Sequence, residues 1–369
     1  MTAIDDRWDG AVELTVECED ADGRARSFRS LAYLDLVAQP RVGDRALLNI
    51  AAIERGLGTG GYALVVAVLD SDGHLTGQPE PPQGHLVKAR YTPLQAMIGG
   101  VDEQGSRFHD QLDATTDLAG LPVVIADLHS ALAPIIAAIR DHDHHLRIAY
   151  LMTDEAALPI AFSRTVSGLQ QAGWLASTIT CGQAYGGDFE AVNLHSGLLA
   201  ARVAAEADIA IVTQGPGNLG TGTRWGFSGT AVGEAVNAVS VLGGRPIGSL
   251  RISGADPRPR HRGLSHHSLT AYGQVALRPA ELAVPDLDAT PFADDETLAG
   301  VGEAVATLSP PHHLHRVDLT DLAEALTRSP VRLSSMGRGP DADPGYFLAA
   351  AAAGRLAVQS VSDFSGSTG

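Results

Sequence analysis

The chain has 369 residues, 44% of them hydrophobic, and a formal net charge of −17, enough apolar material for two or three globular domains. That acidity disfavours nucleic-acid and anionic-membrane partners, which demand a positive surface. No apolar run approaches the ~20 residues that a bilayer requires, and MTAIDDRWDG lacks a charged segment followed by a hydrophobic one, so a cytoplasmic protein is expected.

Residues 8 to 70 read as a small β domain. The runs WDGAVELTVE, RSFRSLAYLDLV, GDRALLNI and GGYALVVAVLD are β-rich and joined by turn signals, which predicts a compact barrel or sandwich. Residues 71 to 83, SDGHLTGQPEPPQ, form a Pro/Gly/polar linker, so the first unit is 1–83 and an α/β unit occupies 84–369. GHLVKARYTPLQ predicts a strand that Pro93 ends, and residues 102–120 read as a loop.

From 121 onward strands alternate with helices, the signature of a parallel or mixed sheet with helices on both faces. PVVIAD, RIAYLMTD, ADIAIVTQ, RPIGSLRISG and HLHRV are strand runs, with PVRLSSMGRG as a further strand entering a glycine loop. WLASTITCG and FEAVNLHS are expected to pair across Tyr185-Gly186-Gly187-Asp188, as a hairpin or an excursion. Leu132, Ile135, Ile136 and Ile139 mark one helical stripe, and Val232, Val236 and Val239 another that Gly243 ends. Residues 284–297 form a Pro/Asp-rich crossing that could subdivide the second unit. Asp343 and Pro344 predict the start of a helix that Gly354 closes, with a frayed tail after Val358.

The central stretch is ADIAIVTQ followed by GPGNLGTGTRWGFSG and then a helix. A strand feeding a glycine-rich turn and a helix presents backbone N–H groups to an anion. Gly215, Gly217, Asn218, Gly220, Thr221 and Gly222 are therefore predicted ligand contacts. Gly215 to Gly220 fits G-x-G-x-x-G, but Thr221 to Phe227 intervene before the helix, whereas a dinucleotide fold starts its helix inside the fingerprint. A turn needed only for tight packing is the competing explanation. The motif Leu-Gly-Thr-Gly also occurs at residues 57–60, so two such loops could face one another across a cleft.

Open α/β sheets bind ligands beyond the carboxyl ends of their strands. Asp127 and His129 follow PVVIA, and Asp154 ends RIAYLMTD. Between Asp256 and Ser268, three arginines and three histidines fall within ten residues, a cationic patch suited to phosphate or carboxylate. Arg224, Arg260 and Arg262 are expected to neutralise the anion, and His266 or His129 to move protons. The adjacent His266 and His267 are expected to point apart and not act on one atom. Lys88 is the only lysine in an arginine-biased chain and, being able to lose its proton, is a further catalytic candidate. Cys18 and Cys181 are too few and too far apart for a disulfide framework or a cysteine zinc cluster. A mixed set of Asp127 and His129 with Asp154, His195 or His266 is tolerable to Zn²⁺ or Mn²⁺, yet its spacing carries no dedicated signature, so no metal ligand is assigned and the cofactor stays unknown.

Taken together, GLGTGGYALVV, GHLVKARYTPLQ, QGPGNLGTGTRWGFSG, SGADPRPRHRGLSHHSLTAYG and SSMGRGPDADPGYFLAAAAAG resemble a bacterial domain-of-unknown-function family from high-GC Gram-positive organisms. The resemblance spans nearly the whole chain and implies no activity. The residues point to an enzyme acting on a small anionic molecule, phosphorylated or nucleotide-like. The alternative is a non-catalytic metabolite sensor or adaptor whose β domain engages a protein, and use of the glycine loops as interfaces would make it a homo-oligomer.

Overall fold

The structure, a computed structural model, describes residues 1–20, 22–56, 60–77 and 84–366. The first sheet comprises β1 (Ala3–Trp8), β2 (Ala11–Glu19), β3 (Ala25–Tyr33), β4 (Arg45–Asn49) and β5 (Ala63–Leu69) in the order β1-β2-β3-β5-β4. Its pairs are antiparallel except for β3 with β5, and the sheet stays open rather than closing as a barrel. A short helix α1 (Ala51–Glu54) precedes the predicted glycine loop, whose residues 57–59 lie outside the described residues. One face of β2 and β3 buries Ala11, Leu31, Tyr33 and Tyr62 against Ala161 of the second unit. Trp8 donates its indole N–H to the Ala161 carbonyl at 2.6 Å.

A two-stranded ribbon, β6 (Leu86–Lys88) with β7 (Ala96–Ile98), leads to helix α2 (His109–Ala114), which buries only Leu112 and so escaped a periodicity reading. The main sheet draws on β8 (Pro122–Ile125), β9 (Ile148–Thr153), β10 (Ser177–Cys181), β11 (Phe189–Ala191), β12 (Ile209–Gln214) and β13 (Arg245–Ser249). After a small ribbon of β14 (Ile252–Ser253) with β15 (Gly263–Leu264), β16 (Glu281–Pro285) and β17 (His313–Val317) complete it. All eight strands are parallel, in the order β11-β10-β9-β12-β8-β13-β16-β17.

The helices between strands are α3 (Leu132–His142), α4 (Arg164–Gln171), α5 (Leu194–Val203) and α6 (Ala231–Val241). They are followed by α7 (His266–Thr270), α8 (Val301–Ala306), α9 (Leu322–Thr327) and α10 (Pro344–Gly366). Helices α3, α9 and α10 pack together, as do α5 and α6, and the two groups cover both faces. Strand order reverses about β8: the chain runs outward through β9 to β11, returns to insert β12 beside β8, then continues on the other side through β13. Connections leaving in opposite directions open a crevice at the strand ends, where ligands of such sheets bind. Among the described residues no helix is long and apolar enough to cross a membrane.

Several local expectations are corrected. β10 and β11 pair in parallel, not as a hairpin, because the intervening loop doubles back through Tyr185, whose N–H bonds the Leu158 carbonyl. Residues 281–285, read partly as a crossing, form buried β16; its five residues end at a proline, and all its partners are distant in sequence. PVRLSSMGRG forms no strand but a tight turn, with Met336 and Gly337 at φ of 50° and 80° and paired Ser335–Arg338 backbone bonds. Helix α10 does not stop at Gly354 or fray after Val358 but runs to Gly366.

Gly354 is there because α10 presses on α3: a Cβ at that position would lie 2.3 Å from the Ile135 carbonyl oxygen. Backbone cannot yield as a side chain can, so Gly354→Ala is expected to destabilise the chain by about 1–3 kcal/mol despite alanine's better helix propensity. A urea-unfolding midpoint at or above that of the native chain would show the crossing to be looser.

Candidate functional site

At the switch point lies a cleft of about 540 Å³. Its floor comes from the carboxyl ends of β8, β12 and β13, which deliver Leu128 to Ser130, Gln214 onward and Arg251. One wall is the start of α4, Ser163 to Thr165, with Trp8 and Tyr62 of the first sheet beside it. The opposite wall is the loop from Arg258 to His267.

The glycine loop closes on itself more than its sequence suggests. Gly220 and Phe227 form an antiparallel bridge, and the Thr221 N–H bonds the Gly226 carbonyl at 2.8 Å. The Leu219 N–H donates to Ser228 Oγ at 3.0 Å. Gly215, Gly217, Asn218, Gly220 and Gly222 line the cleft, whereas the Thr221 hydroxyl turns to Thr223 and Gly226. Gly217 requires its glycine, since its φ is 98°. Arg260 lines the cleft; Arg224 lines only an adjoining cavity; Arg262 is exposed and donates to the Asp256 carbonyl at 2.9 Å.

The loop after β14 is fastened by Asp256. Burial pulls its pKa up, but hydrogen bonds from Arg258 outweigh that and hold it well below the usual carboxylate range. Arg258 reaches both carboxylate oxygens at 2.9 Å, and Arg338 and Arg251 approach at 3.4 and 3.7 Å. This clamp positions His261, at the end of a 3-10 turn, and Ser265, which caps α7 by accepting from the His267 N–H. His266 and His267 occupy the first two positions of α7. Their side chains leave the axis about 100° apart, and with His261 between them their rings converge instead of diverging. Ring centroids are 4.5 Å apart for His266 and His267, 4.9 Å for His261 and His266, and 4.8 Å for His261 and His267. Phe227 stacks on His267 at 3.8 Å and 6°.

Asp127 lies behind this cluster, its Oδ2 being 3.2 Å from His267 Nδ1 and 3.5 Å from the Arg251 guanidinium. Burial raises the carboxyl pKa, but the His267 and Arg251 contacts prevail and lower it. His267 Nδ1 lies 3.2 Å from both Asp127 Oδ2, which when ionised only accepts, and Arg251 Nη1, which only donates. With the Arg251 donor directed to the carboxylate, His267 Nδ1–H donates to Asp127 and Nε2 keeps a lone pair. Burial, reinforced by neighbouring cations, pushes His261 down to about 3 and His266 to about 4, so both are neutral imidazoles near pH 7.

The remaining predicted residues fare differently. His129 lines the cleft, but Nδ1 sits 3.0 Å from the Tyr150 hydroxyl and Nε2 2.7 Å from Ser163 Oγ, so both nitrogens are occupied. Ser163 in turn caps α4 by accepting from the Val166 N–H, which gives the pair a positional use. Asp154 is outside the cleft; its carboxylate accepts the Gln183 N–H at 2.7 Å and secures the turn after β10. His195 is exposed on α5. Lys88 is 0% exposed and does not line the switch-point cleft, its ammonium donating to the Ala184 and Ala191 carbonyls beside Glu190. Residue type alone had marked it as reactive, and total enclosure makes it structural.

Residues the sequence reading passed over include Arg251, hidden inside a strand run, and the partnership of Asp127 with His267. His261 was visible only as part of a cationic patch; the spacing His261-x₄-His266-His267 was the available signal. No curated protein matches the sequence. Residues 29–354 match the family described as Protein of unknown function (DUF3866), and the chain belongs to that family.

Proposed function

We propose that this protein is an enzyme that takes a small anionic molecule, phosphorylated or nucleotide-like, into the switch-point cleft and moves a proton through the His267–Asp127 pair. The observation that carries this reading is that, of the four buried side-chain polar atoms without a hydrogen-bond partner among the described residues, three, Gln214 Oε1, Asn218 Nδ2 and His266 Nε2, belong to residues lining the switch-point cleft, while the fourth, Glu155 Oε2, lies outside it. Each such atom costs about 1–3 kcal/mol of desolvation, a cost that persists in folded chains where something else supplies the partner. Arg260 adds a cation at the mouth that has no carboxylate partner among the described residues. Arg258 and Arg251 are already neutralised by Asp256 and Asp127, so Arg260 is the charge left for the ligand.

Thermal-shift and calorimetric titration with inorganic phosphate, nucleoside phosphates and sugar phosphates test this. At least one should stabilise the chain, by about 2.7 kcal/mol at a hundredfold excess over Kd. Arg260→Gln should weaken that ligand about 10–100-fold, the loss of a charged hydrogen bond. No stabilisation by any anion would sink the proposal.

A further inference from the structure

We propose that His261, His266 and His267 form a three-histidine site for a divalent cation of the zinc class, opening onto the cleft. The potential ligating atoms of the three rings all lie within 4.8 Å of one another. Nitrogens bound at about 2.0–2.1 Å to a tetrahedral ion are about 3.3 Å apart, so binding draws the set together by up to about 1.5 Å. All three sit on one short segment held by the Asp256 clamp and the Ser265 cap, so the site is built before any ion arrives.

Two features independent of the clustering point to a cation. His266 Nε2 is buried without a partner, an imidazole atom with a lone pair or proton that nothing else in the fold uses. The other two rings each have one nitrogen engaged by groups behind them: His267 Nδ1 lies 3.2 Å from both Asp127 Oδ2 and Arg251 Nη1, and His261 Nδ1 lies 2.8 Å from Ser265 Oγ. Metal-binding histidines take such partners, which set the tautomer and aim the remaining nitrogen at the ion. With Nδ1–H donating in both, the free atoms are the two Nε2 positions.

Local charge permits a cation. Arg251 stands against Asp127, Arg258 against Asp256, and Arg338 against Asp343 at 3.2 Å, so three of the guanidiniums around the cluster are balanced by carboxylates, and Arg260, which faces His266 from the mouth, is left for an anion beside the ion. An all-imidazole donor set selects zinc, cobalt, nickel or copper over magnesium and calcium, which prefer oxygen. Three protein ligands leave a coordination position open, as catalytic zinc sites do, and here that position faces the cleft where Arg260 and the glycine loop stand. The site does not depend on anion binding, because the ion's donors belong entirely to this chain; an ion on His267 Nε2 takes the lone pair that would accept a proton, so transfer through the His267–Asp127 pair belongs to the metal-free chain.

The test uses tag-free full-length protein stripped with a chelator and titrated with Zn²⁺ alone. One ion per chain is expected, and Co²⁺ alone should give the intense visible bands of a four- or five-coordinate nitrogen-ligated ion. His261→Gln and His266→Gln should each lower zinc affinity at least tenfold, and Asp127→Asn about 10–100-fold as a positioning residue, with a shift in the pH dependence of binding. Absence of stoichiometric zinc, or an octahedral, oxygen-ligated cobalt spectrum in the native chain, overturns the proposal. So does native zinc affinity in a His261→Gln/His266→Gln chain that melts like the native one. If those variants do not fold, zinc-induced shifts of imidazole ¹⁵N resonances in the native chain decide: shifts on three histidines support the site, and none refutes it.

Discussion

Lys88→Met is expected to destabilise the chain by about 3–5 kcal/mol, the cost of removing one partner from a buried ion pair. The ammonium is enclosed, donating at 2.8 and 3.1 Å to the Ala184 and Ala191 carbonyls and lying 3.3 Å from Glu190 Oε2. Glu190 is also nearly enclosed; its other contacts are the Thr180 hydroxyl at 2.7 Å and the Gly186 N–H at 2.6 Å. Burial already raises its pKa, chiefly opposed by Lys88. Without the lysine the carboxyl rises further and is protonated in the folded chain before it is in the unfolded one. The penalty is therefore largest at high pH and shrinks as pH falls towards the ordinary glutamate range. Lys88→Met/Glu190→Gln, which removes both charges and keeps an amide for Thr180 and Gly186, should recover part of the loss. Urea midpoints at pH 8 and pH 5 for the three chains read this out. A Lys88→Met midpoint within about 1 kcal/mol of native at pH 8 would mean that the pair does not hold β6 against β11.

That lysine also marks how far a sequence can be read. The parallel sheet was legible because buried parallel strands are continuous Ile/Val runs: PVVI, IAYLMT and IAIVTQ are strands wholly buried at every position. The helical stripe of Leu132, Ile135, Ile136 and Ile139 likewise became α3. What stayed hidden was decided by contacts with no local trace. β16 is five residues long and gains its strand character only from β13 and β17 on either side. Gly354 looks like a helix stop until α3 is known to pass beside it.

The candidate site was legible by the same measure. The strand-end rule led to Asp127, His129 and the glycine loop, because all follow apolar runs. It also brought in Asp154, at the end of a strand whose carboxylate turns to a backbone N–H instead. Residue chemistry found the arginine- and histidine-rich loop but not which members face inward. That choice is made by Asp256, which engages Arg258 and turns His261 inside, whereas Arg262 is left exposed.

Acidification from pH 7 towards pH 4 is expected to remove on the order of 3 kcal/mol of stability through His129. Burial lowers this imidazole from 6.5 to about 4, where it sits between the Tyr150 hydroxyl and Ser163 Oγ. The unfolded chain therefore takes up the proton first as pH falls. The stabilisation is fully present above about pH 6.5 and is lost progressively down to about pH 4, at about 1.4 kcal/mol per unit of displacement. His129→Asn gives up packing and one hydrogen bond, so its midpoint should be lower than native at pH 8, but its stability should fall less steeply between pH 6.5 and 4.5. Urea midpoints across that range for both chains measure the difference. Parallel curves would assign the acid sensitivity to other groups. A steeper native curve would confirm that His129 is uncharged at neutral pH, where it holds Ser163 and hence the start of α4 against the cleft but has no proton to give as an acid; proton transfer in the proposed reaction would then rest on His267 and Asp127.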